Sequence, residues 1–153
     1  NAARNHARRV DGNDPGADRE QPRAAVPITY LDPSAAIKLL VEEAESAALL
    51  EALTSSHRRL VASWLLHTEL QCAAGRHPDA LALDAISTVL DVVDLVDVTR
   101  GDLLAAGTHA PLRSNDAIHL ATALRIGVDE VVTYDGELVR AASGAGVRVI
   151  APR

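Results

Sequence analysis

Short apolar runs alternate with helix-like segments along most of this chain, and proline, glycine or acidic residues mark many of the boundaries. The run from Ile28 to Leu31 is typical of a strand covered on both faces, because it is largely apolar rather than alternating. Pro33 then suits the first position of a helix, where a missing N–H costs nothing. The same reasoning predicts further strands at 59–63, 92–99, 130–134 and 147–150.

Helical periodicity, together with helix start and stop signals, predicts helices in the intervals between these strands. The predicted helices cover 34–41, 43–55, 64–74, 79–90, 100–108, 114–126 and 136–143. Strands that alternate with helices predict an α/β fold with three layers, in which helices cover both faces of a mostly parallel central sheet. No glycine-rich phosphate-binding loop is found in the sequence, so nucleotide binding by those motifs is not supported.

The first 27 residues differ in composition from the rest of the 153-residue chain. They are rich in Arg, Asn, Asp, Gly and Pro and carry almost no large aliphatic side chain, so they cannot bury enough apolar surface to order themselves. We therefore expect a flexible N-terminal tail at 1–27 and one domain at 28–153, which is long enough for a single sizeable core.

Hydropathy, cysteine content and charge limit the kinds of protein to which this chain can belong. We expect a cytoplasmic protein without membrane association, because neither a signal-peptide pattern nor an apolar run long enough for a membrane span is present. The single cysteine, Cys72, cannot form an internal disulfide and is expected in the core. A net charge of −6 argues against a general nucleic-acid binder. It is compatible with bound divalent metal, a basic protein partner or simply a soluble surface.

Two acidic residues occupy equivalent places in the predicted fold. Asp32 and Asp135 each follow a strand and precede a helix, so both are expected at the carboxyl edge of the sheet, where ligands bind in open α/β proteins. The competing interpretation is that each carboxylate caps its helix by accepting free N–H groups.

Two more carboxylates lie on predicted helices. Glu69 is three or four residues from Leu65, Leu66, Cys72 and Ala73, so it should project from the buried face, where an ionised carboxylate needs a partner or a metal. The alternatives to a metal are a buried ion pair with an arginine and a helix rim that leaves Glu69 exposed to water. Asp116 stands in the first turn of an apolar helix, where a helix-dipole or capping role is the alternative. His119, one turn later, is interpreted as a satisfied core or surface histidine rather than a catalytic one. Four carboxylates around one edge would suit Mg²⁺ or Mn²⁺.

Four segments resemble the successive motifs of the PIN-domain nucleases, and in particular the VapC toxins of bacterial toxin–antitoxin pairs. They are Tyr-Leu-Asp-Pro-Ser-Ala, Thr-Glu-Leu, Leu-Arg-Ser-Asn-Asp-Ala-Ile-His-Leu-Ala and Val-Thr-Tyr-Asp-Gly-Glu-Leu, in family order between Ile28 and Pro152. The resemblance implies a metal-dependent endoribonuclease with a PIN-like three-layer fold, inhibited by a cognate VapB-type antitoxin and commonly homodimeric. Pro33 stands where the family more often has Thr or Ser, and Asn115 where it often has an apolar residue.

The resemblance also assigns roles to particular residues. The acidic quartet of the family falls on Asp32, Glu69, Asp116 and Asp135, which would hold one or two Mg²⁺ or Mn²⁺ ions, and its supporting hydroxyls fall on Ser34 and Thr133. The hypothesis is that water activated by the metal cleaves RNA phosphodiester bonds, with a 5′-phosphate product. Two alternatives stay open: a catalytically silent PIN-like binding module, and a phosphotransferase that uses an aspartate nucleophile.

Overall fold

The computed structural model describes residues 25–153, so the predicted tail at 1–27 lies almost wholly outside the described residues. Five strands are present in this part of the chain: β1 (Ile28–Leu31), β2 (Arg59–Ser63), β3 (Asp94–Val96), β4 (Glu130–Val132) and β5 (Arg148–Ile150). The helices are α1 (Pro33–Leu40), α2 (Ser46–Thr54), α3 (Trp64–Arg76), α4 (Leu83–Leu90), α5 (Arg100–Ala106), α6 (Ser114–Ile126) and α7 (Gly136–Gly144).

The five strands form one parallel sheet in the order β3-β2-β1-β4-β5. From the central strand β1 the chain moves outward through β2 to β3, and it then returns to the other side of β1 to form β4. The connections therefore leave β1 and β4 in opposite directions, which opens a crevice at the carboxyl ends of these two strands. Leu31 pairs with Val132 at that end, and the N–H of Asp32 continues the ladder to the Val132 carbonyl at 3.1 Å.

The main core lies where helices α1 to α4 pack together and against the sheet. Its fully buried side chains include Leu31 and Val132 of the sheet, Leu49 of α2 and Leu66 of α3. Helices α5, α6 and α7 form a second packed group. The predicted α/β fold with helical layers around a parallel sheet is confirmed.

Several predicted boundaries are wrong. Helix α4 begins at Leu83 rather than 79, because the segment that starts at Pro78 forms an exposed turn that ends in buried Leu81. Helix α2 begins at Ser46 rather than 43, after an exposed acidic segment. Strand β3 covers three residues instead of eight, because it is an edge strand that pairs only with β2.

Helix α3 departs from its predicted pattern in two ways. It continues through Gly75 and ends at Arg76, which costs only about 1 kcal/mol for a glycine inside a helix. Its buried face is formed by Leu66, Leu70, Ala73 and Ala74. Cys72 is consequently exposed, and its prediction as a core residue is wrong.

No helix among residues 25–153 combines the length and the apolar character that a membrane span requires.

Candidate active site

Asp32 stands directly after β1 and is 2 % exposed. One of its oxygens, Oδ2, accepts three hydrogen bonds: from the N–H of Ser34 at 3.1 Å, from Ser34 Oγ at 2.6 Å and from Thr133 Oγ1 at 3.0 Å. The bond from the Ser34 N–H is the predicted helix cap, so the capping interpretation is confirmed for this oxygen. The other oxygen, Oδ1, is buried and has no hydrogen-bond partner among residues 25–153.

The Thr133 hydroxyl is one of the groups that connect the end of β4 to Asp32. Thr133 Oγ1 donates to Asp32 and accepts from the N–H of Asp135 at 3.1 Å. Asp135 itself caps α7, since its Oδ1 accepts from the N–H of Leu138 at 2.8 Å. The two predicted strand-end aspartates are therefore neighbours at one edge of the sheet.

Asp116 comes from the first turn of α6, as predicted, and is half-buried. The helix begins after Arg113 without a side-chain cap, so the capping alternative for Asp116 is wrong. Asp116 lines an open pocket of ≈ 420 Å³ together with Asp135, Glu69 and Arg113. The pocket thus collects three carboxylates and one guanidinium at its wall.

Glu69 lies at the edge of the buried face of α3 rather than within it, and its side chain is 27 % exposed. Both of its oxygens receive hydrogen bonds from α6: His119 Nε2 lies 2.6 Å from Oε2, and Asn115 Nδ2 donates to Oε1 at 3.1 Å. Glu69 therefore lies at the helix rim, which the sequence left as an alternative, and its partners are a histidine and an asparagine rather than an arginine.

The carboxylates influence one another electrostatically. Burial raises the pKa of Asp32, although its hydrogen bonds from Ser34 and Thr133 lower it in part. Burial also raises the pKa of Asp116, and the negative charges of Asp32 and Asp135 raise it further. The site therefore disfavours its own negative charge, which a bound cation would offset.

The donor set fits a hard divalent cation better than any other group. Carboxylate oxygens are the ligands that Mg²⁺ and Mn²⁺ prefer, and the unpartnered Oδ1 of Asp32 is a buried acceptor that hydrogen bonds within the chain leave unsatisfied. Within residues 25–153, no group of three or more acidic, histidine or cysteine side chains is already arranged to hold a metal ion. Glu69 and Asp135 both accept bonds from the chain, so a cation would have to draw side chains toward itself.

Two members of this arrangement were not predicted to belong to it. Tyr30 contacts His119, and Asn115 contacts Glu69. The sequence contains a detectable signal for each of these two members. Tyr30 precedes Asp32 by two residues, which is the same-face spacing of a strand, and Asn115 precedes His119 by four, the same-face spacing of a helix. His119 is 1 % exposed, so its interpretation as a satisfied core residue is confirmed.

A family model for the PIN domain matches residues 29–144. The chain belongs to the PIN-domain family. Among its relatives is ribonuclease VapC46 of Mycobacterium tuberculosis, which is 43 % identical over 127 residues that cover 80 % of this chain and 96 % of the relative. Ribonuclease VapC35 of the same species is 38 % identical over 130 residues, again covering 80 % and 96 % of the two chains. The likeness places this PIN domain among the VapC proteins, as the motifs indicated.

Solved structures share the same PIN fold at lower identity. The crystal structure of VapC20 from Mycobacterium tuberculosis, described as a toxin that cleaves the sarcin–ricin loop, has a TM-score of 0.64 at 18 % identity. The match covers 81 % of this chain and 99 % of that one. A toxin–antitoxin complex from Klebsiella pneumoniae gives 0.63 at 17 % identity, with 82 % and 98 % covered. VapBC2 of Rickettsia felis, bound to a promoter DNA fragment, gives 0.64 at 13 % identity, with 82 % and 99 % covered.

Proposed function

We propose that this chain is an endoribonuclease dependent on Mg²⁺ or Mn²⁺ and acts as the toxin of a type II toxin–antitoxin pair. Its VapC relatives are named ribonucleases, which supports RNA as the substrate. The observation that carries the metal dependence is the orphaned Oδ1 of Asp32, buried beside other carboxylates in a site that disfavours negative charge.

Asp32, Asp116 and Asp135 would hold one or two ions, with Glu69 as a further ligand or as the acceptor that orients the attacking water. A bound divalent ion lowers the pKa of water and stabilises charge on phosphate oxygens. Ser34 and Thr133 fix the orientation of Asp32, because both hydroxyls donate to its Oδ2.

Arg113 gives the acidic pocket a point of attachment for the substrate. It is exposed and lines the same pocket as Asp116, Asp135 and Glu69. A guanidinium binds phosphate oxygens through paired N–H donors, so Arg113 can hold the RNA backbone that the carboxylates alone would repel.

A VapB-type antitoxin is the proposed protein partner. The structural neighbours include one toxin–antitoxin complex and one VapBC complex on promoter DNA, which supports this assignment. The net charge of −6 also suits a basic segment of a partner protein. We further propose a homodimer in the cytoplasm, which sedimentation and cell fractionation would test.

The experiment is an RNA digest with purified protein in Mg²⁺ and in EDTA. The expected result is cleavage to 5′-phosphate ends in Mg²⁺, none in EDTA, and a loss of at least about 10²-fold in Asp116→Asn because a charged ligand is removed. Asp84→Asn, at an exposed position on α4, is the matched control and should cleave like the wild type. Full cleavage in EDTA or by Asp116→Asn would refute the proposal.

Calorimetry with Mn²⁺ separates the two alternatives. A catalytically silent binding module would neither bind Mn²⁺ at this site nor cleave RNA. A phosphotransferase with Asp32 as its nucleophile would form a phosphoaspartate that acid trapping detects. The 2 % exposure of Asp32 disfavours that reaction, because in-line attack needs room for a whole phosphoryl group at the carboxylate, whereas a metal ion needs room for one atom.

A further inference from the structure

A buried chain of hydrogen bonds leads from the backbone of β2 to Glu69. The N–H of Ser63 donates to Tyr30 Oη at 3.1 Å, Tyr30 Oη lies 2.7 Å from His119 Nδ1, and His119 Nε2 lies 2.6 Å from Glu69 Oε2. Tyr30 and His119 are each 1 % exposed and meet edge to face with ring centroids 5.7 Å apart. Neither ring is available to solvent, so these bonds are the only ones that the two side chains are seen to make within residues 25–153.

Counting donors favours one direction for this chain of bonds. The Tyr30 oxygen already accepts the Ser63 N–H, and His119 Nδ1 is the acceptor that the described residues offer to its hydroxyl proton. An imidazole that accepts at Nδ1 carries its proton at Nε2, where it donates to the Glu69 carboxylate. The tyrosine therefore selects the tautomer that can hold Glu69.

The same pair connects the three segments that carry the other site residues. Tyr30 and Asp32 lie two residues apart on one face of the extended segment that includes β1. His119 lies one helical turn after Asp116 on α6. Contact between Tyr30 and His119 therefore sets the position of Glu69, which comes from α3, relative to both aspartates.

We propose that Tyr30 and His119 are positioning residues that orient Glu69 toward the cation site, Tyr30 by fixing the tautomer of His119 and His119 by donating to Glu69. This inference rests on the proposed function. A purely structural polar pair would stabilise the fold in the same way but would not transmit its effect to metal binding.

The test uses variants that separate the donor to Glu69 from ring packing. A glutamine at 119 places an amide nitrogen about as far out as Nε2, whereas an asparagine reaches only the level of Nδ1. His119→Gln should therefore retain most of the Mn²⁺ affinity, while His119→Asn and Tyr30→Phe should lose it about tenfold to hundredfold. Tyr134→Phe is the matched control, since its hydroxyl donates to the Pro152 carbonyl at 2.8 Å, away from the four carboxylates.

Mn²⁺ affinity is measured by calorimetry on the full chain, alongside melting temperatures that confirm folding. A second readout needs no metal: ¹⁵N spectra of the histidine side chains in EDTA should show His119 as a single tautomer protonated at Nε2. In Tyr30→Phe that single tautomer should give way to a mixture, and in Tyr134→Phe it should persist.

Three results would overturn the inference. The first is a folded Tyr30→Phe protein with wild-type Mn²⁺ affinity, and the second is an equal loss in His119→Gln and His119→Asn. The third is a wild-type spectrum in which Nδ1 carries the proton. Absence of Mn²⁺ binding by the wild type would instead contradict the proposed function, and the spectra would still report whether Tyr30 sets the tautomer.

Discussion

Metal-linked thermal stability is the sharpest consequence of the way Asp32 is buried. The carboxylate is 2 % exposed, Oδ2 accepts three hydrogen bonds and Oδ1 accepts none from the described residues. The substitution Asp32→Asn removes the charge and nearly keeps the shape, with the amide oxygen in the place of Oδ2, where three donors meet, and the amide nitrogen in the place of Oδ1. Comparing the two proteins with and without Mn²⁺ reports the cost of the buried charge and its relief by a cation.

Without metal, the direction of the change in melting temperature follows from the pKa of Asp32. Burial raises the pKa of Asp32 in the folded protein above its value of about 3.9 in the unfolded chain. The stabilising contribution is then complete below about 3.9 and is lost as the pH rises through the higher folded pKa. In EDTA at pH 7 the Asp32→Asn protein should therefore melt above the wild type, and this difference should shrink as the pH falls toward about 4.

With metal, the size of the change in melting temperature follows from the binding of the ion to the folded state. A ligand at 100 times its dissociation constant stabilises the folded state by about 2.7 kcal/mol. For a chain of 153 residues, 1 kcal/mol shifts the melting temperature by about 2–4 °C. Saturating Mn²⁺ should therefore raise the wild-type melting temperature by about 5–11 °C and leave Asp32→Asn nearly unchanged.

Differential scanning calorimetry measures the melting temperature of the wild type and of Asp32→Asn, each in EDTA and then in excess Mn²⁺. Equal shifts in the wild type and in Asp32→Asn would refute the reasoning, because the ion would then bind elsewhere. A wild type that melts above Asp32→Asn in EDTA at pH 7 would refute the argument about the buried charge.

Three further predictions concern other described residues. Arg58→Ala removes the 2.6 Å ion pair of the buried Glu130 but leaves it the Thr29 hydroxyl and the looser Arg148 pair at 3.6 Å, so the free energy of urea unfolding should fall by about 1–3 kcal/mol. Burial alone would raise the pKa of Asp102, but hydrogen bonds from the Arg125 guanidinium and from Thr99, the N-cap residue of α5, lower it. The stability lost in Asp102→Asn should therefore be largest at neutral pH and shrink below about pH 4. Thr133→Val should weaken Mn²⁺ binding about tenfold or more in calorimetry, whereas Thr122→Val, at a buried hydroxyl that no described residue bonds, should not.

The sequence was sufficient to predict the order of elements and the parallel sheet, because strand and helix periods alternate clearly along the chain. It was also sufficient to expect Asp32 and Asp135 at one edge, since both follow strands of a parallel sheet. Which strands are neighbours was not readable, because the pairing of β1 with β4 depends on contacts 101 residues apart in the chain.

Periodicity predicted the buried face of α3 only in part. Helical spacing placed Glu69 and Cys72 on one buried face, but α3 is rotated so that Leu66, Leu70 and Ala73 face the core. That rotation is set by packing against the sheet and α4, and no local pattern encodes it. The hydrogen bond from His119 to Glu69 likewise joins two helices whose contact is a property of the fold alone.

The location of a bound Mn²⁺ ion tests the central claim most directly. Crystals of the full chain grown with Mn²⁺ give an anomalous signal that locates the ion without reference to activity. The predicted result is a peak within bonding distance of Asp32 Oδ1, with Asp116 and Asp135 turned toward it. An ion bound only at other carboxylates, with Asp32 Oδ1 still unpartnered, would contradict the account.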